Sequence, residues 1–102
     1  MKKKGVKMEG SSLEKESRKE IIVTGRVQGV GFRYFTQRLA AKYQIRGRVK
    51  NLADGNVRVK AIGINLEAFL SELRKGPAFA EVWGIEIREL AEKLDYEDFR
   101  IE

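Results

Sequence analysis

The chain has no cysteine, no histidine and a single proline among its 102 residues. Without cysteine there is no disulfide framework, thiol nucleophile, iron–sulfur cluster or thiolate zinc site. Without histidine there is no imidazole base, no Ser-His-Asp triad and no histidine metal ligand. A catalyst built from this chain has to work with carboxylates, amides, arginines, backbone groups and water. Long apolar runs are also missing. No window approaches the roughly 18 apolar residues of a membrane span. Lys2-Lys3-Lys4 starts like a signal peptide, but no apolar segment follows. The expected location is the cytoplasm, with no membrane partner.

What is present suits one soluble domain with a modest core: 42% of residues are apolar and 35% charged. The formal charge is +6 and half of that surplus falls within the first 20 residues. A mildly basic body attracts phosphate-bearing ligands, yet it equally fits an ordinary solvated surface. Abundant Lys, Arg and Glu beside three Gln and three Asn points to a heat-adapted source. Met1 to Arg18 offers only Val6, Leu13 and two Met for burial. It reads as a flexible polar extension ahead of a domain spanning 19–102. A tag remnant or a basic arm for nucleic acid are the other readings of it.

From Glu20 the pattern changes. Ile21-Ile22-Val23 is a β-branched strand signal. A glycine-rich stretch, Thr24 to Gly31, follows. Phe32, Phe35, Leu39 and Tyr43 then fall at helical spacing, which predicts a helix over 32–43. Ile45 to Lys50 and Asn56 to Ile62 flank Asp54-Gly55, a hairpin signal. A second helix is expected with Asn65 as N-cap, an apolar stripe of Leu66, Phe69, Leu70 and Leu73, and Gly76-Pro77 as its stop. Trp83, Ile85 and Ile87 alternate as one face of a fourth strand, and Tyr96 to Ile101 suggests a short fifth. The order β-α-β-β-α-β is the α+β, ferredoxin-like sandwich: an antiparallel sheet with both helices on one face. That fold hosts many unrelated functions.

Two places could carry chemistry. Gly25-x-x-x-Gly29-x-Gly31 leads into a helix N-terminus, where backbone N–H groups and the helix dipole favour an anion. Arg33 follows in the first turn, where a guanidinium can grip phosphate. The spacing matches neither the Walker A loop nor the dinucleotide fingerprint. Such glycines more often serve backbone geometry, and such an arginine more often makes a surface ion pair. Asn51 ends the second strand, where an Asn usually serves the turn. In this topology strands one and two run parallel with strand three between them. The loop and Asn51 therefore lie at one end of the sheet, two strand spacings or about 10 Å apart. The carboxylate clusters Glu86 with Glu89, and Asp95 with Glu97 and Asp98, have no glycine loop beside them and read as solvated faces. The tail serines and Thr24 have no base to activate them.

The stretch Gly25-Arg26-Val27-Gln28-Gly29-Val30-Gly31-Phe32-Arg33 closely resembles the first signature of the acylphosphatases. Gly47-Arg48-Val49-Lys50-Asn51 with Asp54-Gly55-Asn56-Val57 and on to Gly63 resembles the second. Gly76-Pro77 and the closing Phe99-Arg100-Ile101 are similar as well. The resemblance covers about residues 20 to 102. It implies a hydrolase for acyl phosphates that yields carboxylate and inorganic phosphate, without metal or cofactor. It implies that backbone N–H groups of Gln28, Gly29, Val30, Gly31 and Phe32 cradle the phosphate, that Arg33 binds its oxygens, and that Asn51 orients the attacking water. Inorganic phosphate would be both product and inhibitor. The sequence shows no obvious dimer surface, so a monomer is expected. Arg48 stands where the family usually has an aromatic residue. If that position faces the pocket mouth it alters acyl preference; otherwise it is solvated.

Two readings compete. RNA-recognition domains share the β-α-β-β-α-β order, but need aromatics on the third strand. Here that strand, Asn56 to Ile62, has none, so no nucleic-acid partner is expected. The other is a regulatory domain of the same fold without catalysis. The acylphosphatase-like domains of hydrogenase-maturing carbamoyltransferases sit in much longer chains than this one.

Overall fold

The computed structural model describes residues 15–91, 93 and 95–102. Its elements are β1 (Ser17–Arg26), α1 (Phe32–Tyr43), β2 (Arg46–Asn51), β3 (Val57–Gly63), α2 (Leu66–Leu73), β4 (Glu81–Glu89) and β5 (Phe99–Ile101). They form one five-stranded sheet in the order β4-β1-β3-β2-β5. β1, β3, β2 and β4 pair antiparallel, as expected, and β5 adds along β2 in parallel. β1 and β2 thus run the same way on the two sides of β3.

Alternation decides which face is covered. Ile21, Val23, Val49, Val57, Val59 and Ala61 are fully buried and point to one face of the sheet. Phe32, Leu39 and Ala40 of α1 and Leu66, Phe69, Leu70 and Leu73 of α2 pack into the same cluster. Both helices therefore lie on that face. Thr36, on the buried stripe of α1, is fully enclosed, and its hydroxyl donates to the Phe32 carbonyl at 2.8 Å. A buried hydroxyl is tolerable because its donor is satisfied within the helix.

Three local features depart from expectation. β1 begins at Ser17, inside the segment read as an extension, because Ser17 and Arg18 pair with Gly63 and Ile62. The rest of that extension, residues 1–14, lies outside the described residues. Asn65 precedes α2 but makes no side-chain cap; its Nδ2 donates instead to the Tyr43 carbonyl at 3.4 Å, at the end of α1. That carbonyl is one of those a helix C-terminus leaves without an intrahelical donor. In β4 the alternation breaks at a bulge: Thr24 faces Gly84 while Gly25 faces Val82. Trp83 is the extra residue and stays 71% exposed, and Val82 takes the inward place beside Ile85. Gly25 permits the crossing, since a Cβ there would stand 2.0 Å from the Glu81 carbonyl oxygen.

Candidate active site

At the end of the sheet where β1 and β2 both finish, a cavity of about 180 Å3 is lined by Val27, Gly29, Gly31, Phe32, Arg33, Tyr34, Asn51 and Ile101. The residues of the two sequence signatures thus meet in one place. Val27 and Phe32 are buried and make its apolar floor.

The loop from Val27 to Gly31 has no regular structure, and α1 starts directly after it. Gly31 is the N-cap at φ 80° and Gly29 stands at φ 75°. Both are left-handed conformations that cost an L-residue with a side chain roughly 1–2 kcal/mol. A Cβ at either position would meet nothing within 4 Å. Glycine is required there by backbone angle, not by space. No acidic residue occupies the first turn of α1. The positive end of the helix dipole therefore faces the cavity without an internal counter-charge.

No protein acceptor for the backbone N–H groups of Gln28 to Phe32 is found among the described residues. Gly29, Gly31 and Phe32 line the cavity itself. Val30 packs part-buried against the core, and the side chain of Gln28 turns away to the hairpin. There its Nε2 donates to the carbonyls of Leu52, at 2.7 Å, and Asn56, at 2.8 Å.

Arg33 reaches the cavity from the first turn of α1. Its Nη1 donates to the main-chain oxygen of Glu102 at 3.1 Å. The parallel pairing of β5 with β2, continued by Glu102 N–H to the Val49 carbonyl at 2.8 Å, brings that oxygen into reach. Nothing in the sequence pattern flags this contact, which depends on where the fifth strand pairs. Asn51 enters from the end of β2, on the same face as Val49. Its Oδ1 is buried and has no hydrogen-bond donor among the described residues. A buried amide oxygen left so costs about 1–3 kcal/mol, and such an atom calls for an explanation.

Arg48 does not face this cavity. It lies on the other face of β2, where its guanidinium sits over the Tyr96 ring at 4.4 Å and bonds Asp98 Oδ1 at 3.2 Å. The cavity mouth is instead formed by Tyr34, 59% exposed, and Ile101, 38% exposed. Among the described residues no group of three or more carboxylates is gathered to hold a metal ion.

Comparison with known proteins gives a consistent answer. The acylphosphatase family model matches residues 19–101. An acylphosphatase of Archaeoglobus fulgidus is 50% identical over 84 residues, covering 80% of this chain and 93% of that protein. The crystal structure of acylphosphatase from Bacillus subtilis superposes with a TM-score of 0.79 at 40% identity, over 83% of this chain and 97% of that one. A structure of full-length HypF superposes at 0.79 and 33% identity over 86% of this chain, which is 12% of HypF.

Proposed function

Since the chain belongs to the acylphosphatase family, we propose that Arg33 and the backbone N–H groups of Gln28 to Phe32 hold the phosphoryl group of its substrate while Asn51 holds the attacking water. The reaction is hydrolysis of an acyl phosphate to a carboxylate and inorganic phosphate. The observation that supports these roles is the buried Oδ1 of Asn51, without a donor, in the cavity that Arg33 lines. An amide oxygen can only accept, so the donor it suits is a water or hydroxyl. The loop N–H groups and the guanidinium can only donate, so they suit the phosphoryl oxygens.

The chemistry asks little more of the protein. An acyl phosphate is a mixed anhydride with a carboxylate leaving group. Positioning and donors aimed at charge on the transferring group then supply most of the catalysis. The water attacks phosphorus, the P–O bond to the acyl oxygen breaks, and the carboxylate leaves with that electron pair. The water's proton passes to a phosphoryl oxygen, so no histidine is needed. The same reading takes the reaction as metal-independent and inhibited by inorganic phosphate, with no nucleic acid involved. It takes the protein as a cytoplasmic monomer of a heat-adapted source, its domain beginning with β1 at Ser17. No helix among the described residues is long and apolar enough to cross a membrane.

The deciding experiment is hydrolysis of a simple aryl acyl phosphate with EDTA present. Turnover with competitive inhibition by inorganic phosphate is expected. Turnover that EDTA abolishes, or that phosphate leaves untouched, would refute the reading.

A further inference from the structure

The loop and Asn51 belong to different strands, and catalysis in this reading needs them at one fixed separation. Pairing of β1 and β2 with β3 sets it coarsely, and a cross-link between the loop and the β2–β3 turn would fix it locally. The structure contains such a link in the side chain of Gln28. One amide nitrogen donates to both Leu52 and Asn56 carbonyls, at 2.7 and 2.8 Å. These two residues close the turn: Leu52 N–H donates to the Asn56 carbonyl at 2.8 Å, and Gly55 N–H to the Leu52 carbonyl at 3.2 Å. Leu52 is the residue after Asn51.

The choice of side chain follows. A primary amide carries two donors on one nitrogen, which suits two converging carbonyls. A carboxylate would set oxygen against oxygen. Asparagine is one methylene shorter. Both contacts are part-buried, so losing the donors leaves two carbonyl oxygens less satisfied and frees the loop to shift.

We propose that Gln28 is a positioning residue: its carboxamide clamps the phosphate-binding loop to the Leu52–Asn56 turn and so holds phosphorus in line with the water on Asn51. The side chain touches neither substrate nor water. This rests on the roles proposed above for the loop and Asn51. The clamp explains why the hairpin turn, remote from the phosphate cradle in sequence, belongs to the working site. It also predicts a particular kinetic signature. The cradle keeps its own N–H groups and Arg33, so phosphate affinity should survive loss of the clamp. Alignment of water with phosphorus should not.

The test is a double-mutant cycle between Gln28→Met, which keeps length and removes both donors, and Asn51→Ala. Hydrolysis of an aryl acyl phosphate gives kcat, and inorganic phosphate gives Ki. Gln28→Met alone should lower kcat roughly tenfold to hundredfold, in the range for a misplacement near 1 Å, with little change in Ki. In the Asn51→Ala background the same change should cost far less, because no positioned water remains to be misaligned. An unchanged Ki also shows that the cradle is folded in the variant. Gln28→Glu is the second variant and should follow Gln28→Met. Equal costs in both backgrounds, a Ki that rises in step with the fall in kcat, or an unaltered kcat would overturn the inference. If Asn51→Ala by itself leaves kcat intact, the assignment of Asn51 fails instead, which is a separate result.

Discussion

Arg33 and Asn51, carried by different elements of the fold, line the same cavity. Arg33 comes from the helix that follows β1, and Asn51 from the last residue of β2. They are 18 positions apart in sequence, and no hydrogen bond joins them among the described residues. What joins them is topology: β1 and β2 run parallel because both pair antiparallel with β3. One donor-only group and one acceptor thus face a common space. That is the polarity needed to hold an anion and a water side by side.

Replacing Arg33 by Ala should reduce turnover and phosphate affinity together. The guanidinium is a charged donor to the phosphoryl oxygens in the ground state and along the reaction. A loss of about 10²–10³ in kcat/KM is expected, the range for removing one strong donor from developing charge. Steady-state kinetics with phosphate as inhibitor measures both effects. Lys at the same place should recover only part, since it offers a point charge instead of a planar fork.

Asn51→Ala should separate the two effects. The side chain holds water, not phosphate, so Ki for phosphate should change little while kcat falls by about 10². Asn51→Asp keeps an acceptor but brings negative charge beside the phosphoryl group, and should bind phosphate more weakly than either. A variant in which Ki rises as kcat falls would place Asn51 on the phosphate instead.

Much of this was legible in the chain. The helical spacing of Phe32, Phe35, Leu39 and Tyr43 marks α1 at the limits found, because an amphipathic face leaves a period in the sequence. The signatures placed Gly29, Gly31, Arg33 and Asn51, and the topology brought them to one cavity. What could not be read depends on contacts between distant residues. The β4 bulge arises where Gly25 lets β1 approach Glu81 closely, while alternation alone groups Trp83 with Ile85 and Ile87. The side chain of Asn65 serves a carbonyl of the other helix, which no local rule foretells. The face on which Arg48 lies follows from strand parity with Gly47 and Val49, and its stacking partner Tyr96 is 48 residues away.

Gly31→Ala should destabilise the fold through backbone angle alone. A Cβ there meets nothing within 4 Å, so no clash contributes, and the φ of 80° remains the whole penalty. The expected cost is about 1–2 kcal/mol, and each kcal/mol lowers Tm by roughly 4–8 °C in a domain of this size. Gly31→Asn should cost less, since Asn visits the left-handed region more readily. Thermal melts of the three proteins rank these effects. If Ala and Asn lower Tm equally, the angle is not the cause.

Stability against acid should depend on Arg46. Its guanidinium binds both oxygens of Glu16, at 2.6 and 3.1 Å, and Asp95 Oδ1 at 2.8 Å, while its Nε donates to the Tyr96 carbonyl at 2.7 Å. Hydrogen bonding from Arg46 is the main reason that the carboxyls of Glu16 and Asp95 titrate below their ordinary values of 4.5 and 3.8. A carboxyl whose pKa is lowered by folding stabilises the fold above its unfolded value. That contribution is lost as pH falls through the folded value. Tm of the parent should therefore drop on acidification below about pH 4–5, the unfolded carboxyl range. Arg46→Gln should start lower at neutral pH and fall less, so that the two curves approach each other at the acid end. These carboxylates are largely open to solvent, so the gap at neutral pH should also shrink in about 1 M salt, where the screening length is near 3 Å. Curves that stay parallel from neutral to acid pH would show that Arg46 stabilises the fold by packing and by its bond to Tyr96, and not through the two carboxylates.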